Sequence, residues 1–453
     1  MTDGIPTSVR DDEFAINADV VALLGELIRF DTTNWGGGRS NGEREAAEWV
    51  ADRLRSVGWQ PRVLARTDAP QRANVVLRVP GTDRSAAGLL VHAHLDVVPA
   101  EPDQWSTDPF GGTMADGYVW GRGAVDMKDM CASVLATLLD WGLTGKRPRR
   151  DIVVAFLADE EDRGEYGAGW LTVEHPGLFS GVAAAIGESG GSYRPAGDGG
   201  RPVRLYPVAT AERGTMHLRL TARGTSGHAS RPSEKNAVAE LLAALHRLAS
   251  HRWPAHLSPA VRAYLAGTAE ALGIAVDLDS DDGIARCLAD LGELADVARF
   301  TIRASSTPTM INAGYKVNVV PGIASAEVDV RCPPGYQDVI VGELQRLVGD
   351  TVEHEFSSFE PPVSAPVDSQ WFAAIAAAIS RADPQALVLP FCMGGGTDAK
   401  AFSKLGIACY GFAPHGEDPD GRRVVGVHGV DERVPVASLL WGSAVLRDFL
   451  TTV

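Results

Sequence analysis

Apolar residues at Val20, Val21, Leu23, Leu24, Leu27 and Ile28 recur at helical spacing within Ala18 to Phe30, and Glu43 to Val57 repeats the pattern before Gly58 stops it. The chain therefore opens on two amphipathic helices. Short β-rich runs follow at Asn74 to Val79, Leu89 to His94 and Ile152 to Leu157, with a helix-like stretch Met127 to Leu143 between the last two. Strands alternating with helices predict an α/β unit whose sheet is covered by helices on both faces. After Pro207 the texture changes. Strand-like runs at Met216 to Thr221 and Ala324 to Val330 are interleaved with helical segments Ala237 to Ala249 and Tyr336 to Val348, an α+β pattern, and Ser250 to Arg299 reads as a helical elaboration of it. The Pro- and Ser-rich stretch Ser357 to Ser369 reads as a linker, after which a helix over Gln370 to Arg381 resumes the first pattern. The second unit is thus an insertion in the first.

Composition narrows the function. At 453 residues the chain exceeds what one core sustains, so two domains are expected. A formal charge of −16 argues against nucleic acid as a partner, because that binding rests on Lys and Arg neutralising phosphates. Cys131, Cys287, Cys332, Cys392 and Cys409 form no C-x-x-C pair, which points to neither a thiolate zinc site nor a disulfide framework and fits a reducing, cytoplasmic location. The N-terminus lacks a basic region followed by an apolar run, and no window of about eighteen apolar residues occurs, so no membrane association is expected.

Three apolar runs deliver chemistry at their ends. Val91 leads into His92, His94 and Asp96, whose alternation puts all three on one strand face, where a carboxylate can hold the second nitrogen of a metal-binding imidazole. The same His-x-His-x-Asp opens metallo-β-lactamase-like sites, but that pattern needs a further histidine where Val97 stands, so His92 reads as structural. Ile152 to Leu157 leads into Asp159-Glu160-Glu161-Asp162, where adjacent carboxylates at a strand end point apart and suit separate roles as proton shuttle and metal ligand. Val182 to Gly187 ends at Glu188 in the same manner. Asp126, in the glycine turn Gly121-Arg122-Gly123 before a helix, is either an N-cap or a carboxylate able to bridge two cations. His428 taken singly is indistinguishable from a loop histidine.

In order along the chain, His94-Leu95-Asp96, Gly121-Arg122-Gly123 with Asp126-Met127-Lys128, Asp159-Glu160-Glu161, Gly187-Glu188-Ser189, Gly227-His228-Ala229, Asn318 to Pro321, Asp329-Val330-Arg331, Gly395-Gly396-Thr397-Asp398 and His428 to Glu432 resemble the M20 metallopeptidase family. That family includes aminoacylases, acetylornithine deacetylase, succinyl-diaminopimelate desuccinylase, dipeptidases and glutamate carboxypeptidases. The resemblance implies a catalytic domain over 1–207 and 362–453 and an inserted lid and dimerisation domain over 208–361. It implies two zinc ions, with cobalt or manganese fitting the same ligands: His94 and Glu188 on one, Glu161 and His428 on the other, Asp126 bridging. Asp96 would orient His94, and Glu160 would be the general base on a metal-held water. His228 would reach the oxyanion from the partner subunit of a homodimer, while Arg331, Asn318, Gly395, Gly396 and Thr397 would bind the substrate. Asp398 and Glu432 read as supporting residues. The expected reaction is hydrolysis of an amide or peptide bond in a dipeptide or N-acyl amino acid. The alternative is an inactive, metal-bound regulatory protein on the same fold, which would be expected to have lost Glu160 or a ligand.

Overall fold

The computed structural model describes residues 11–196, 203–231, 234–417 and 426–453, so the extreme N-terminus read above lies outside it. The chain divides into two compact units: Met1–Ala209, Asp368–Leu389 and Thr397–Val453 make the first, and Thr210–Val367 with Pro390–Gly396 the second. No described helix is long and apolar enough to cross a membrane.

In the first unit, α1 (Asp11–Ile28) and α2 (Arg44–Ser56) form where the apolar stripes predict them, and Gly58, at φ +92°, stops the second. A mixed ten-stranded sheet carries β1 (Arg62–Ala65), β2 (Ala73–Val79), β3 (Gly88–His94), β4 (Ile152–Leu157) and β5 (Val182–Gly187). β3 pairs in parallel with β4 on one side and β5 on the other, and β2 closes antiparallel on β4. Every residue of β3 and β4 is buried, which is why both read as unbroken apolar runs instead of alternating ones. The helix α3 (Lys128–Thr144) is buried around most of its circumference and ends on Gly145 in the left-handed region at φ 74°.

The second unit is built on a four-stranded antiparallel sheet of β6 (Gly214–Arg223), β7 (Ser305–Ala313), β8 (Ile323–Cys332) and β9 (Val352–Glu360), in the order β7-β8-β6-β9. Alternate residues Met216, Leu218 and Leu220 of β6 and Ala326, Val328 and Val330 of β8 share a buried core with Leu241 and Leu245 of α4 (Ala237–Ser250) and Ile340 and Leu344 of α5 (Gln337–Val348). The stretch Ser250 to Arg299 is helical as expected, and its two longer helices, Pro259–Ala271 and Asp281–Asp290, are each capped by a serine, Ser258 and Ser280, ahead of a short one at Asp296–Arg299.

The segment Ser357 to Ser369 carries the chain from the second unit, which runs to Val367, back to the first, but part of it is strand. Ser357 to Glu360 completes β9, and Val363–Ser364 pairs with Ala211 and Glu212. Its serines misled because they find partners across the sheet: Ser357 Oγ donates to the His217 carbonyl and Ser358 Oγ meets His217 Nδ1, both at 3.2 Å.

Candidate metal centre

Because β3, β4 and β5 are adjacent and parallel, their C-terminal ends emerge on one edge of the sheet, the place where such sheets put ligands. His94 ends β3, the turn carrying Glu160 and Glu161 follows β4, and Glu188 follows β5 directly. Asp126 comes from the turn that enters α3. His428 comes from the segment before the short strand Arg433–Pro435, which pairs antiparallel with Tyr118–Trp120 and so ties the C-terminal segment to the Asp126 turn.

These six side chains converge. Asp126 stands between the two imidazoles, its Oδ1 3.1 Å from His94 Nε2 and its Oδ2 3.2 Å from His428 Nε2. His428 Nε2 also lies 3.2 Å from Glu161 Oε2, and His94 Nε2 lies 3.9 Å from Glu160 Oε2. Donor atoms of His94, Asp126 and Glu161 fall within 4.8 Å of one another, as do those of His94, Glu160 and Glu188.

Carboxylates facing imidazoles shift the protonation of His94, His428, Asp126 and Glu160. Burial works against a charge on His94, yet its bond to Asp126 and the nearby Glu160 and Glu188 carry it well above the ordinary imidazole range. Hydrogen bonds to Asp126 and Glu161 push His428 up to about 10. Asp126, opposed by burial, is held low by the two histidines, whereas burial and then the charge of Glu188 drive Glu160 well above the usual carboxylate range. Glu161 Oε1 is buried without a hydrogen-bond partner among the described residues. An orphaned carboxylate oxygen amid excess negative charge fits a cation, and imidazole with carboxylate ligands fits zinc, cobalt or manganese.

Two further carboxylates hold the ligand-bearing turns. Asp96, fully buried, accepts the backbone N–H of Glu160 at 3.1 Å and of Glu161 at 3.2 Å. Its contact with His94 runs through its carbonyl, 2.9 Å from Nδ1, while the carboxylate stands 3.8 Å away. Asp96 thus touches His94 with its backbone and spends its side chain on the next loop. Glu432 accepts the N–H groups of Gly123 (3.1 Å), Val125 (2.8 Å) and Asp126 (3.1 Å), and Arg122 NH1 at 2.6 Å. The sequence marked Glu432 only as supporting; its bonds span more than three hundred positions and have no local signature. Five non-glycine residues take positive φ among the described ones, and four border this site: Asp159 (70°), Ser189 (71°), His428 (59°) and Asp431 (60°). Such strained backbone clusters where a chain must turn sharply to present a side chain.

His92 stays apart from the donor groups. It is 3% exposed, packs 5.1 Å from the ring of Phe402, and fills the space that a Cβ on Gly187 would need, 2.2 Å from His92 Cε1. Thr397, in the first unit, is buried, and its Oγ1 accepts the Ala399 N–H at 3.0 Å in the turn that leads into the short helix Ala399–Ser403.

His228, Asn318, Arg331, Gly395 and Gly396 belong to the second unit. A two-stranded ribbon, Gly227–His228 with Val319–Val320, puts His228 next to Asn318, whose carbonyl accepts the Ala229 N–H at 3.1 Å. Because the Ser230 N–H donates to His228 Nδ1 at 3.2 Å, the neutral ring carries its proton on Nε2, exposed as a donor. Arg331 spends its fork on Asp329 at 2.7 and 3.0 Å and its NH1 on Thr215 Oγ1 at 2.9 Å. Neither Gly395 nor Gly396 takes a positive φ.

A mixed sheet that collects histidines and carboxylates at one edge, in a chain with a separate α+β unit, has the architecture of a metallohydrolase. The profile of peptidase family M20/M25/M40 matches residues 90–452, and the chain belongs to that family of hydrolytic enzymes. It is 29% identical over 376 residues to the N-fatty-acyl-amino acid synthase/hydrolase of Xenopus tropicalis, covering 79% of this chain and 71% of that one. Aminoacylase-1 of Sus scrofa is 28% identical over 392 residues, covering 85% and 84%. Among solved structures, an M20 metallo-carboxypeptidase of Sulfolobus solfataricus superposes with a TM-score of 0.69 at 16% identity, covering 96% of this chain and 98% of that one, a likeness of fold.

Proposed function

We propose that the protein is a di-metal hydrolase, with zinc the expected metal, that cleaves an amide or peptide bond in a small substrate bearing a free carboxylate, an N-acyl amino acid or a dipeptide. The observation that carries the reading is the placement of Asp126 between His94 and His428, one imidazole on each oxygen, with Glu188 grouped with His94 and Glu161 with His428. The named activities of the two sequence relatives support the substrate class. Retention of Glu160 beside all five ligand candidates argues for an active enzyme.

His94, Glu188, Glu161, His428 and Asp126 would hold the metal pair, which when bound acidifies a water and polarises the scissile carbonyl. Glu160, held beside His94, takes the proton of the attacking water on its carboxylate and returns it to the leaving nitrogen. His228, from the second copy of a homodimer, donates its Nε2 proton to the oxygen that gains charge, worth about 3–4 kcal/mol of barrier. Arg331 and Asn318, with the backbone at Gly395, Gly396 and Thr397, recognise the substrate's carboxylate and amide oxygens; Arg331 exchanges its Asp329 partner for the substrate. The reading places the enzyme in the cytoplasm, supported by five cysteines that are buried as thiols.

The test is a panel of N-acyl amino acids and dipeptides, assayed with zinc-loaded protein beside Glu160→Gln. Glu160→Gln is expected to lower kcat by roughly 10²–10⁴-fold while keeping its metals. Wild-type protein that binds two metals yet hydrolyses no member of the panel would overturn the reading.

A further inference from the structure

Behind the turn that carries Glu160 and Glu161, a line of buried polar side chains runs back to the start of α2. Arg72 is 5% exposed and Glu43 0%. The Arg72 guanidinium grips both oxygens of Glu43, Nε to Oε2 and NH2 to Oε1, each at 2.9 Å, and the same NH2 donates to Asp159 Oδ1 at 2.7 Å. The ring of Tyr166 lies 5.1 Å from the guanidinium carbon, and the Tyr166 N–H donates to Asp159 Oδ2 at 3.2 Å. Asn34 Nδ2 then bridges Asp159 Oδ1 at 3.1 Å and Asp96 Oδ2 at 2.9 Å. Asp96 closes the line on the N–H groups of Glu160 and Glu161.

We propose that Arg72 is a positioning residue for Glu160 and Glu161, acting through Asp159 and the Asn34–Asp96 link without entering the metal donor set. The proposal rests on the roles assigned to those two glutamates. Asp159 holds φ +70°, a left-handed conformation that aspartate tolerates better than most L-residues and that its side-chain bonds to Arg72, Asn34 and the Tyr166 N–H hold in place. Its carboxylate is therefore the handle by which the fold keeps the turn in that conformation, and Arg72 is the charged group on that handle. Three consecutive residues are gripped as a result: Asp159 by its side chain, Glu160 and Glu161 by their N–H groups. Arginine suits the place because one planar fork serves two carboxylates at once, whereas a lysine ammonium reaches only part of that geometry. Glu43 keeps the fork aimed, its own N–H fixed on the Gln71 carbonyl at 2.9 Å. One guanidinium serves both carboxylates, so its removal would leave Glu43 and Asp159 buried without their cation and the loss propagates along the line.

The experiment compares wild type, Arg72→Met, Arg72→Lys and Asp159→Asn. Asp159→Asn is included because asparagine tolerates the left-handed backbone and still accepts the Tyr166 N–H, so it removes the ion pair while sparing the fold. Zinc affinity is measured by chelator competition, kcat and KM with the best substrate of the panel, and melting with and without metal. Weakening of the bound zinc by about 10–100-fold in Arg72→Met and Asp159→Asn is expected, with Arg72→Lys intermediate and kcat falling more than KM rises. If Asp159→Asn and whichever Arg72 variant folds bind zinc and turn over as wild type does, the proposal is overturned. Failure of wild type itself to bind two zinc ions would instead sink the di-metal reading beneath it, and Glu160→Gln, which should bind zinc normally but not turn over, separates the two failures.

Discussion

At the scale of single residues, Gly187 and His92 show how closely the site edge is packed. A Cβ on Gly187 would overlap the His92 ring at 2.2 Å, so Gly187→Ala is expected to cost about 1–3 kcal/mol in urea unfolding and to misplace the adjoining Glu188. His92 itself gives a pH signature. Burial, and then the charge of His94, depress its pKa to about 3 from the ordinary 6.5. A depressed histidine contributes stability that is complete above pH 6.5 and is lost as pH falls from there toward 3, because the unfolded chain takes up the proton first. The stability of metal-free wild type relative to His92→Leu should therefore shrink as pH is lowered from 7 to 4. A difference that stays constant over that range would show that the ring titrates normally.

At the scale of elements, the Gly121–Asp126 turn and the segment from His428 to Pro435 behave as one piece, joined by Glu432 and the Arg433–Trp120 pairing. Glu432→Ala strands the buried Arg122 and frees three backbone donors, so it should destabilise by about 3–5 kcal/mol in denaturant melts. It should also weaken metal binding by about 10–100-fold, read by chelator competition. Coupling of this kind separates what was legible in the chain from what was not. His94, Glu160, Glu161 and Glu188 were readable because each follows an apolar run in sequence, and parallel strands put run-ends together by rule. The α1, α2 and α3 helices were readable from local periodicity. The roles of Glu432, Arg72 and the Asp96 carboxylate were hidden, since their partners lie far along the chain and buried polar contacts obey no local period. The strands within Ser357 to Ser369 were missed for the same reason, its first serines having partners on β6.

At the scale of the whole molecule, the second unit presents β7 as an edge strand with exposed apolar side chains at Met310 (66%) and Ile311 (59%), followed by Tyr315 (84%) and Val317 (99%). Proteins normally blunt such edges with charge or cover them with a partner, which supports the proposed homodimer. Val317→Glu together with Ile311→Lys should shift sedimentation toward the monomer and lower kcat without unfolding either unit; a variant that stays dimeric would place the interface elsewhere. The discontinuous first unit has a consequence for assembly during synthesis. The second unit is drawn almost wholly from one stretch of chain, so its sheet and helices can close as soon as that stretch leaves the ribosome. The donor set is complete only after His428 has emerged, well behind the second unit, and its long-range strand pairings make that closure slow. Metal binding at the full proposed donor set therefore waits until the two chain segments of the first unit, separated by the whole of the second, have come together.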